Sequence, residues 1–172
     1  PRLSTERERI AGLVKDGEVM INMFGGVGMF SLLAAKNTSC TVYNIDLNPV
    51  AAQLCKENAQ INKLKGEVIS LNGDATKVIN EQLTGKADRI LMLLPERSDE
   101  FLDSALNGLK NNGVIHYYSH MHADKKQDAP KLSEEHFMSV NKTNAEIITS
   151  RNVRPVGPRF YQTVVDVKIS KS

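Results

Sequence analysis

The sequence contains no tryptophan, only two cysteines, and few aromatic residues, which make up 5% of its 172 residues. Cys40 and Cys55 lie in or beside apolar segments, and we interpret them as buried thiols of a protein from a reducing compartment. Neither the cysteines nor the histidines have the spacing of a zinc site, so we predict no metal. The absence of cysteine pairs or clusters therefore argues against a disulfide-stabilised secreted domain.

Long apolar runs and a strong charge imbalance are also missing. No apolar run approaches the ~18 residues that span a membrane, and the charged N-terminal segment is not a signal peptide. The net charge of +2 permits a local basic patch but does not by itself indicate nucleic-acid binding. With 41% hydrophobic and 24% charged residues, residues 1–172 are predicted to form one cytoplasmic domain with a sizeable core.

The most informative stretch is a glycine loop that follows an apolar run. Residues 19–24 lead into Gly25-Gly26-Val27-Gly28, and a second apolar segment begins at Met29. This pattern predicts a buried strand, a tight turn and the start of a helix. Asp46 closes the next apolar run, and an acid at the end of the second strand of a βαβ unit can bind both ribose hydroxyls of a nucleoside. The two signals together predict a nucleoside cofactor site.

The spacing of the glycines indicates which cofactor this site holds. The loop is shorter than the G-x-G-x-x-G loop that wraps the pyrophosphate of a dinucleotide. S-adenosylmethionine has no phosphate and fits the shorter loop better. A sharp strand-to-helix turn in any α/β protein would explain the glycines alone, but the later Gly73-Asp74 adds a second acid at a strand end. We therefore predict S-adenosylmethionine as the cofactor.

Five β-α steps in regular alternation predict a doubly wound parallel sheet. The two closing strands, at about 145–151 and 161–169, have no helix between them and are predicted to pair as an antiparallel edge hairpin. Helices are predicted from Ser4, which would cap the first one, and at about 27–36, 98–110 and 132–144. Because ligands bind at the carboxyl ends of such strands, residues there should converge on one crevice. The ends carry Phe24–Gly28, Asp46, Asp74, Leu94–Glu96 and Tyr117–His120.

Eight segments that occur in a fixed order along the chain resemble a known family. They are Pro1–Arg7, Met23–Gly28, Asp46–Pro49, Glu57-Asn58, Asn62–Leu64, Gly73-Asp74, Met92–Pro95 and His116–Tyr118. Together they resemble the catalytic domain of the archaeal and eukaryotic tRNA (guanine-37-N1)-methyltransferases and their wybutosine-pathway relatives. The resemblance implies a class I methyltransferase fold, S-adenosylmethionine as donor and tRNA as substrate. It also implies preceding domains that help to grip the tRNA. The sequence shows no sign of an obligate protein partner, and we expect a monomer.

The resemblance further implies roles for individual residues. Guanine N1 carries a proton that a base must take, and Glu6 is implied as that base, with Leu94 and Pro95 completing the catalytic segment. Without the resemblance, Glu6 reads as a first-turn helix acid and Asp74 as a helix cap. The glycine loop would hold the methionine part of the cofactor, Asp46 the ribose and Asp74 the adenine amino group. The full predicted cofactor set is Met23, Phe24, Gly25, Val27, Gly28, Asp46, Leu47, Asn48, Asp74 and Leu93.

Three residues are predicted to contact the tRNA: Arg2, Tyr117 and Arg154. Arg154 belongs to a basic segment around Pro155 and Pro158 that would contact phosphates, although a solvated turn explains it equally well. Tyr117 ends a strand and would stack on a flipped base, although tyrosines on strands more often pack against neighbours.

The sequence departs from the family pattern at three positions. Leu93 stands where the family has an asparagine thought to help fix the target base, and Asn22 replaces an acid near the methionine end of the cofactor. Gly25 replaces an alanine. The change at Leu93 favours the wybutosine-pathway aminocarboxypropyl transferases, whereas Asp46 and the Leu94-Pro95-Glu96 turn favour the methylases. A non-catalytic RNA-binding module with a decayed cofactor site is the alternative from another class, and the glycine spacing disfavours a dinucleotide-dependent oxidoreductase.

Overall fold

The computed structural model describes residues 2–171, with only the backbone of Arg2. Strands and helices alternate through the first two thirds of the chain, as the sequence predicts. The strands are β1 (Val19–Asn22), β2 (Thr41–Asp46), β3 (Glu67–Asn72), β4 (Ala87–Met92), β5 (Leu109–His122), β6 (Asn144–Gly157) and β7 (Phe160–Ser170). The helices are α1 (Arg2–Leu13), α2 (Met29–Asn37), α3 (Pro49–Ile61), α4 (Ala75–Val78), α5 (Ser98–Gly108) and α6 (Ala129–Val140). A π-helical turn (Ile79–Leu83) extends α4, and a 3₁₀ turn (Lys126–Asp128) precedes α6.

One seven-stranded sheet organises these elements, in the order β3-β2-β1-β4-β5-β7-β6. The pairs among β1 to β5 are parallel, while β7 runs antiparallel to both β5 and β6. This arrangement confirms the predicted doubly wound, mostly parallel sheet with an antiparallel C-terminal hairpin. The last strand does not lie at the edge, because it inserts between β5 and β6 and leaves β6 outermost.

Helices cover both faces of the sheet, and each face has its own apolar cluster. The cluster under α4, α5 and α6 includes Ile21, Ile90 and Phe137, and the cluster under α1 and α2 includes Ile10, Met20 and Leu91. Adjacent residues of β1 and β4 thus point to opposite clusters. This two-sided burial is the reason that the central strands read as continuous apolar runs rather than alternating ones.

Several boundaries differ from the prediction. Ser4 lies inside α1 rather than capping it, and α6 begins and ends earlier than expected. α5 ends at Gly108, and β5 already begins at Leu109, although Asn112-Gly113 resembles a helix end. The cause is β7, whose Ser170 and Ile169 pair with Asn112 and Gly113 and extend the strand. Tertiary pairing here overrides the local turn preference.

The C-terminal hairpin is longer than predicted for the same reason. The sequence predicts Pro155 in the turn, but this residue pairs with Tyr161 within β6, next to a register shift. Proline is tolerated there because β6 is the edge strand of the sheet. The turn itself contains Pro158 and Arg159, and Arg159 has a positive φ of 52°. In the described residues, no helix is long and apolar enough to cross a membrane.

Candidate active site

The glycine loop leaves β1 at the carboxyl edge of the sheet and turns directly into α2. Gly26 and Gly28 have φ values of 56° and 94°, in the left-handed region that favours glycine. A Cβ at Gly28 would lie 2.6 Å from Sγ of Cys55, so that glycine also allows α3 to approach. A Cβ at Gly26 would have no heavy atom within 4 Å, which leaves the loop backbone open on that side.

Asp46 links the glycine loop to the start of α3. Its Oδ2 accepts a hydrogen bond from the Gly26 amide at 2.8 Å, and its Oδ1 accepts one from the Asn48 amide at 2.9 Å. Asn48 in turn caps α3 by accepting from the Val50 amide at 2.9 Å. A carboxylate has about four lone-pair sites, so Asp46 retains acceptor capacity for ligand hydroxyls. The residue therefore positions the loop and keeps acceptors for a ligand.

Asp74 lies at the next strand end, and backbone bonding brings it towards Asp46. The Gly73 amide donates to the Asp46 carbonyl at 3.0 Å. Oδ1 of Asp74 accepts a hydrogen bond from the Lys77 amide at 3.0 Å and caps α4, as the helix-cap interpretation predicts. The side chain is nevertheless exposed. Because the cap uses one oxygen, the other can accept from an amino group. The exposed Leu47, 72% accessible, adds an apolar surface next to Asp46.

A buried polar cluster lies beneath the glycine loop and involves two of the family departures. Asn22 donates to Ser31 Oγ at 3.1 Å, and Ser31 donates to Asn44 Oδ1 at 2.7 Å. Asn44 also donates to the Gly26 carbonyl at 3.2 Å. A Cβ at Gly25 would lie 2.0 Å from Asn44 Oδ1, so the absence of a side chain at Gly25 makes room for Asn44. Oδ1 of Asn22 is buried and lacks a partner among the described residues.

A cavity of about 320 Å³ opens beside the end of β4, and we call it the Leu93 cavity. Apolar side chains form most of its wall, while polar groups of β5, β6 and β7 enter it. It is lined by Leu3, Leu93, Leu94, Pro95, Glu96, His120, Arg154, Val156 and Gln162. The structure therefore brings the predicted catalytic residues Leu94 and Pro95 together with the predicted substrate residue Arg154. Leu93, which is predicted to bind the cofactor, lines the same cavity.

Two other predicted cofactor residues, Met23 and Phe24, lie in or against the apolar core. Met23 is buried in the core, and its amide donates to the Leu91 carbonyl at 3.1 Å, which ties β1 to the end of β4. Phe24 is half-buried and packs edge-on against Phe101, with ring centroids 4.9 Å apart. Val27 is half-buried in the loop itself.

Glu6, the predicted base, lies in the interior, where it is 2% exposed. Arg9 donates to both of its oxygens, through Nε to Oε1 at 3.0 Å and through a terminal nitrogen to Oε2 at 2.8 Å. The Tyr118 hydroxyl donates to Oε2 at 2.5 Å. Burial, followed by the Glu6 charge, raises the pKa of Tyr118 well above its usual value. The carboxylate of Glu6 is thus surrounded by donors of this protein.

The Glu6–Arg9 ion pair is part of a chain of buried charged side chains that extends to β7. Arg9 also binds Asp166 at 2.6 Å, and Asp166 accepts from His116 Nδ1 at 2.7 Å. Arg89 donates to His116 Nε2 at 2.8 Å and pairs with Glu18 at 3.3 Å. This chain attaches α1 to the centre of the sheet.

The ionisation of this chain follows from its geometry. Burial alone would raise the pKa of Asp166, but the hydrogen bonds from His116 and Arg9, together with the positive charge of Arg9, outweigh it and hold that pKa at about 2. Burial lowers the pKa of His116, so its imidazole is neutral and donates from Nδ1. Arg9 therefore carries the positive charge that balances Asp166 and Glu6.

Tyr117 corrects one prediction. Its side chain is fully buried and packs edge-on against Phe137, with centroids 5.1 Å apart. Its hydroxyl donates to Asp99, which also binds His136 at 2.8 Å. A ring with no exposed surface is not available to stack on a base, so the predicted stacking role is wrong. The side chain of Arg2 lies outside the described residues, and its predicted role stays a prediction.

Sequence reasoning missed several residues that shape the site. Asn44 beneath the glycine loop and Gln162 behind Arg154 had no local signal. Asp166 did have one, since it interrupts the apolar run of β7 with a charge. Among the described residues, no group of three or more His, Cys, Asp or Glu side chains could hold a metal ion.

The sheet topology and the glycine loop with its two nearby acids, Asp46 and Asp74, are those of a nucleoside-binding domain. This domain is of the class I methyltransferase type. Residues 1–148 match the TRM5/TYW2 methyltransferase domain, and the chain belongs to this family. The comparison confirms the resemblance seen in the sequence.

Curated relatives include enzymes of more than one named activity. The chain is 38% identical over 172 residues to tRNA (guanine(37)-N(1))-methyltransferase Trm5b of Methanocaldococcus jannaschii, covering 99% of this chain and 46% of that protein. It is 39% identical over 168 residues to tRNA 4-demethylwyosine(37)-methyltransferase Taw21 of Saccharolobus solfataricus, covering 97% and 60%. It is 30% identical over 167 residues to the tRNA(Phe) (4-demethylwyosine(37)-C(7)) aminocarboxypropyltransferase of M. jannaschii, covering 96% and 66%. The chain thus spans about half to two thirds of these relatives.

Solved structures of the family share the fold. TYW2 of P. horikoshii in complex with MeSAdo superposes with a TM-score of 0.87 at 28% identity, covering 100% of this chain and 64% of that one. The complex of aTrm5 with tRNALeu superposes with a TM-score of 0.81 at 35% identity, covering 99% and 46%.

Proposed function

We propose that this protein transfers the methyl group of S-adenosylmethionine to N1 of guanine 37 in tRNA. The observation that carries the proposal is the adjacency of two sites at one edge of the sheet. The loop–Asp46–Asp74 site suits a nucleoside, and the Leu93 cavity opens beside the end of the next strand, β4. The named activity of the M. jannaschii relative, 38% identical, supports the same reaction. A tRNA substrate fits the predicted cytoplasmic location.

The residues at the first site fit S-adenosylmethionine. Asp46 has acceptor capacity for two ribose hydroxyls, and the free oxygen of Asp74 suits the adenine amino group. The open backbone around Gly26 admits the methionine part without a side chain in the way. S-adenosylmethionine supplies an electrophilic methyl carbon on a thioether leaving group.

The protein's share of the chemistry is then positioning and proton removal. Holding the guanine N1 in line with the methyl carbon removes much of the entropic barrier of a two-molecule reaction. Leu93, Leu94 and Pro95 form an apolar wall that suits the flat face of a base and excludes water. Guanine N1 must lose its proton as it attacks, so a proton acceptor is required. Glu6 stays the acceptor predicted from the family resemblance.

The proposal is tested with the full-length protein, S-adenosylmethionine and a tRNA that carries unmodified guanosine at position 37. We expect nucleoside mass spectrometry to find 1-methylguanosine at that position, and calorimetry to find saturable S-adenosylmethionine binding without NAD binding. A matched tRNA with adenosine at position 37 serves as the control. Unmodified guanosine after prolonged incubation would contradict the proposal.

A second candidate is aminocarboxypropyl transfer to a 4-demethylwyosine base. The observation that favours it is Leu93, which lines the cavity where the methylase pattern has an asparagine. The relative named for this activity is 30% identical. The two candidates are separated by product mass, because an aminocarboxypropyl group adds far more mass than a methyl group. The same assay on tRNA with 4-demethylwyosine also reveals methylation of that base, the activity named for the Taw21 relative.

A further inference from the structure

Glu6, the proton acceptor of the proposed function, lies beside the wall of the Leu93 cavity. Leu3 lines that cavity, and Glu6 follows it three residues later on the same side of α1. Because Glu6 is only 2% exposed, the contacts of its carboxylate decide which lone pairs remain for a proton. The described residues that bind this carboxylate are Arg9 and Tyr118, and the family resemblance assigned a role to neither.

The two carboxylate oxygens of Glu6 are not equivalent. Oε2 accepts two hydrogen bonds, from a terminal nitrogen of Arg9 at 2.8 Å and from the Tyr118 hydroxyl at 2.5 Å. Oε1 accepts one, from Nε of Arg9 at 3.0 Å. Because each carboxylate oxygen has about two lone-pair sites, the contacts among the described residues fill Oε2 and leave one site on Oε1. An incoming proton therefore has a place on Oε1.

Arg9 is held in this position from its other side. A second terminal nitrogen donates to Asp166 at 2.6 Å, and Asp166 also accepts from His116 at 2.7 Å. The guanidinium is thus fixed between two carboxylates, and its two-nitrogen fork sets the plane of the Glu6 carboxylate. Because these contacts join α1 to β5 and β7, the orientation of Glu6 depends on the assembled sheet.

Tyr118 reaches the same carboxylate from β5. Its side chain is fully buried, in the apolar cluster that also contains Ile10 and Leu91. Burial, followed by the charge of Glu6, raises the pKa of Tyr118 well above its usual value, so the hydroxyl keeps its proton and stays a donor near pH 7. A buried ring that ends in a hydroxyl donor thus fixes one oxygen of Glu6.

We propose that Tyr118, together with Arg9, positions Glu6 for methyl transfer by occupying Oε2, so that Oε1 accepts the N1 proton of the target guanine. The inference rests on the proposed function, with Glu6 as its acceptor. In the step, the bond between N1 and the methyl carbon forms as the bond between that carbon and sulfur breaks, and the electron pair of the broken bond stays on sulfur. The N1 proton passes to Oε1, and the resulting carboxylic acid returns it to water after the product leaves.

The test compares Tyr118→Phe with Tyr117→Phe in the full-length protein. Tyr117 is the matched control, because it is the adjacent residue on β5 and also donates its hydroxyl to a carboxylate, that of Asp99, but on the opposite face of the sheet. Single-turnover methylation of guanosine-37 tRNA is measured over a range of tRNA concentrations, and calorimetry measures S-adenosylmethionine affinity. Each variant is also made in a Glu6→Gln background, because a residue that acts through Glu6 loses its effect when that carboxylate is absent.

We expect Tyr118→Phe to lower the single-turnover rate at saturating tRNA at least ~10-fold, the scale of a misplaced reacting group, with unchanged tRNA half-saturation and cofactor affinity. In the Glu6→Gln background the same substitution should change the rate less than ~2-fold. Tyr117→Phe should leave the rate unchanged in both backgrounds. Arg9→Lys is the second variant, which keeps the charge beside Asp166 but lacks the fork on Glu6. It should show the same pattern as Tyr118→Phe, and it tests the same carboxylate if Tyr118→Phe is unfolded.

The failure of this inference is distinct from the failure of the proposed function. Folded variants at Tyr118 and Arg9 that keep the wild-type rate, or that slow transfer equally with and without the Glu6 carboxylate, overturn the inference and leave the proposed function intact. Wild-type protein that does not methylate guanosine at position 37 overturns both.

Discussion

Asp166 is the centre of the buried charge chain, and its replacement tests the electrostatic account of the fold. The side chain is 2% exposed and accepts from Arg9 at 2.6 Å and from His116 at 2.7 Å. Asp166→Asn keeps the shape of the side chain but removes its charge. Among the described residues, Glu6 is then the counter-charge that remains paired with Arg9. We expect the variant to fold with a lower free energy of unfolding.

The expected loss follows from the pKa of Asp166. The pKa drops from an ordinary 3.8 to about 2 in the folded protein. At ~1.36 kcal/mol per pKa unit, this drop corresponds to about 2.5 kcal/mol of stability at neutral pH. Removing one partner of a buried pair has cost ~3–5 kcal/mol elsewhere, and the remaining Glu6–Arg9 pair places this variant near the lower value.

The pH dependence gives the loss a distinctive signature. Because the folded pKa lies below the unfolded one, the stabilisation is complete above the unfolded value of 3.8 and disappears as the pH falls through about 2. The difference in unfolding free energy between wild type and Asp166→Asn should therefore be constant from pH 7 to 5. It should shrink to about half by pH 3.

Urea unfolding, followed by circular dichroism across this pH range, measures the difference. Asp124→Asn is the control, because Asp124 is fully exposed and pairs only loosely with the exposed Arg159, at 3.6 Å. We expect the control to change stability by less than ~0.5 kcal/mol. A loss below ~1 kcal/mol at pH 7 for Asp166→Asn, or a loss that is the same at pH 3, would refute the assignment of a charged Asp166 at the centre of the chain.

Three further outcomes are expected. Gly28→Ala should lower the free energy of unfolding in urea by ~1–3 kcal/mol more than Gly26→Ala. Both glycines have positive φ, but only a Cβ at Gly28 would clash with Cys55. Equal losses would contradict the close approach of α3. Asp46→Ala should weaken S-adenosylmethionine binding at least ~10-fold by calorimetry, because the glycine loop and the start of α3 each lose a hydrogen bond to a charged acceptor; unchanged affinity would exclude Asp46 from the site. Glu6→Gln should lower the free energy of unfolding by ~1–3 kcal/mol and slow single-turnover methyl transfer at least ~100-fold with unchanged S-adenosylmethionine affinity; a wild-type transfer rate would exclude Glu6 as the proton acceptor.

The cofactor half of the site was largely predictable because its signals are local. Three glycines in four positions after an apolar run already indicate a tight turn. The regular alternation of strands and helices then places Asp46 at the end of the next strand. The structure adds that Asp46 binds the loop itself through the Gly26 amide. That bond could not be predicted, since it depends on where β2 places its end relative to β1.

The substrate half was less predictable because burial decides it. Tyr117 and Tyr118 are neighbours in sequence, but alternation along β5 sends them to opposite apolar clusters. Nothing local says that one meets Phe137 and the other Glu6. The Leu93 cavity likewise combines three separate strands with the β4–α5 segment, so the partnership of Arg154 with Gln162 appears only once β7 inserts beside β5.

The sequence by itself determined the doubly wound sheet, the glycine loop with its acids, and the family to which the chain belongs. These features depend on residue periodicity and on backbone freedom within a few positions. Only the tertiary structure decided that Glu6 is buried in an ion pair, that Tyr117 is a core residue, and that His120 faces a cavity. Glu6 meets Tyr118 across 112 positions and Arg9 meets Asp166 across 157, and contacts of that separation exist only after the sheet is assembled.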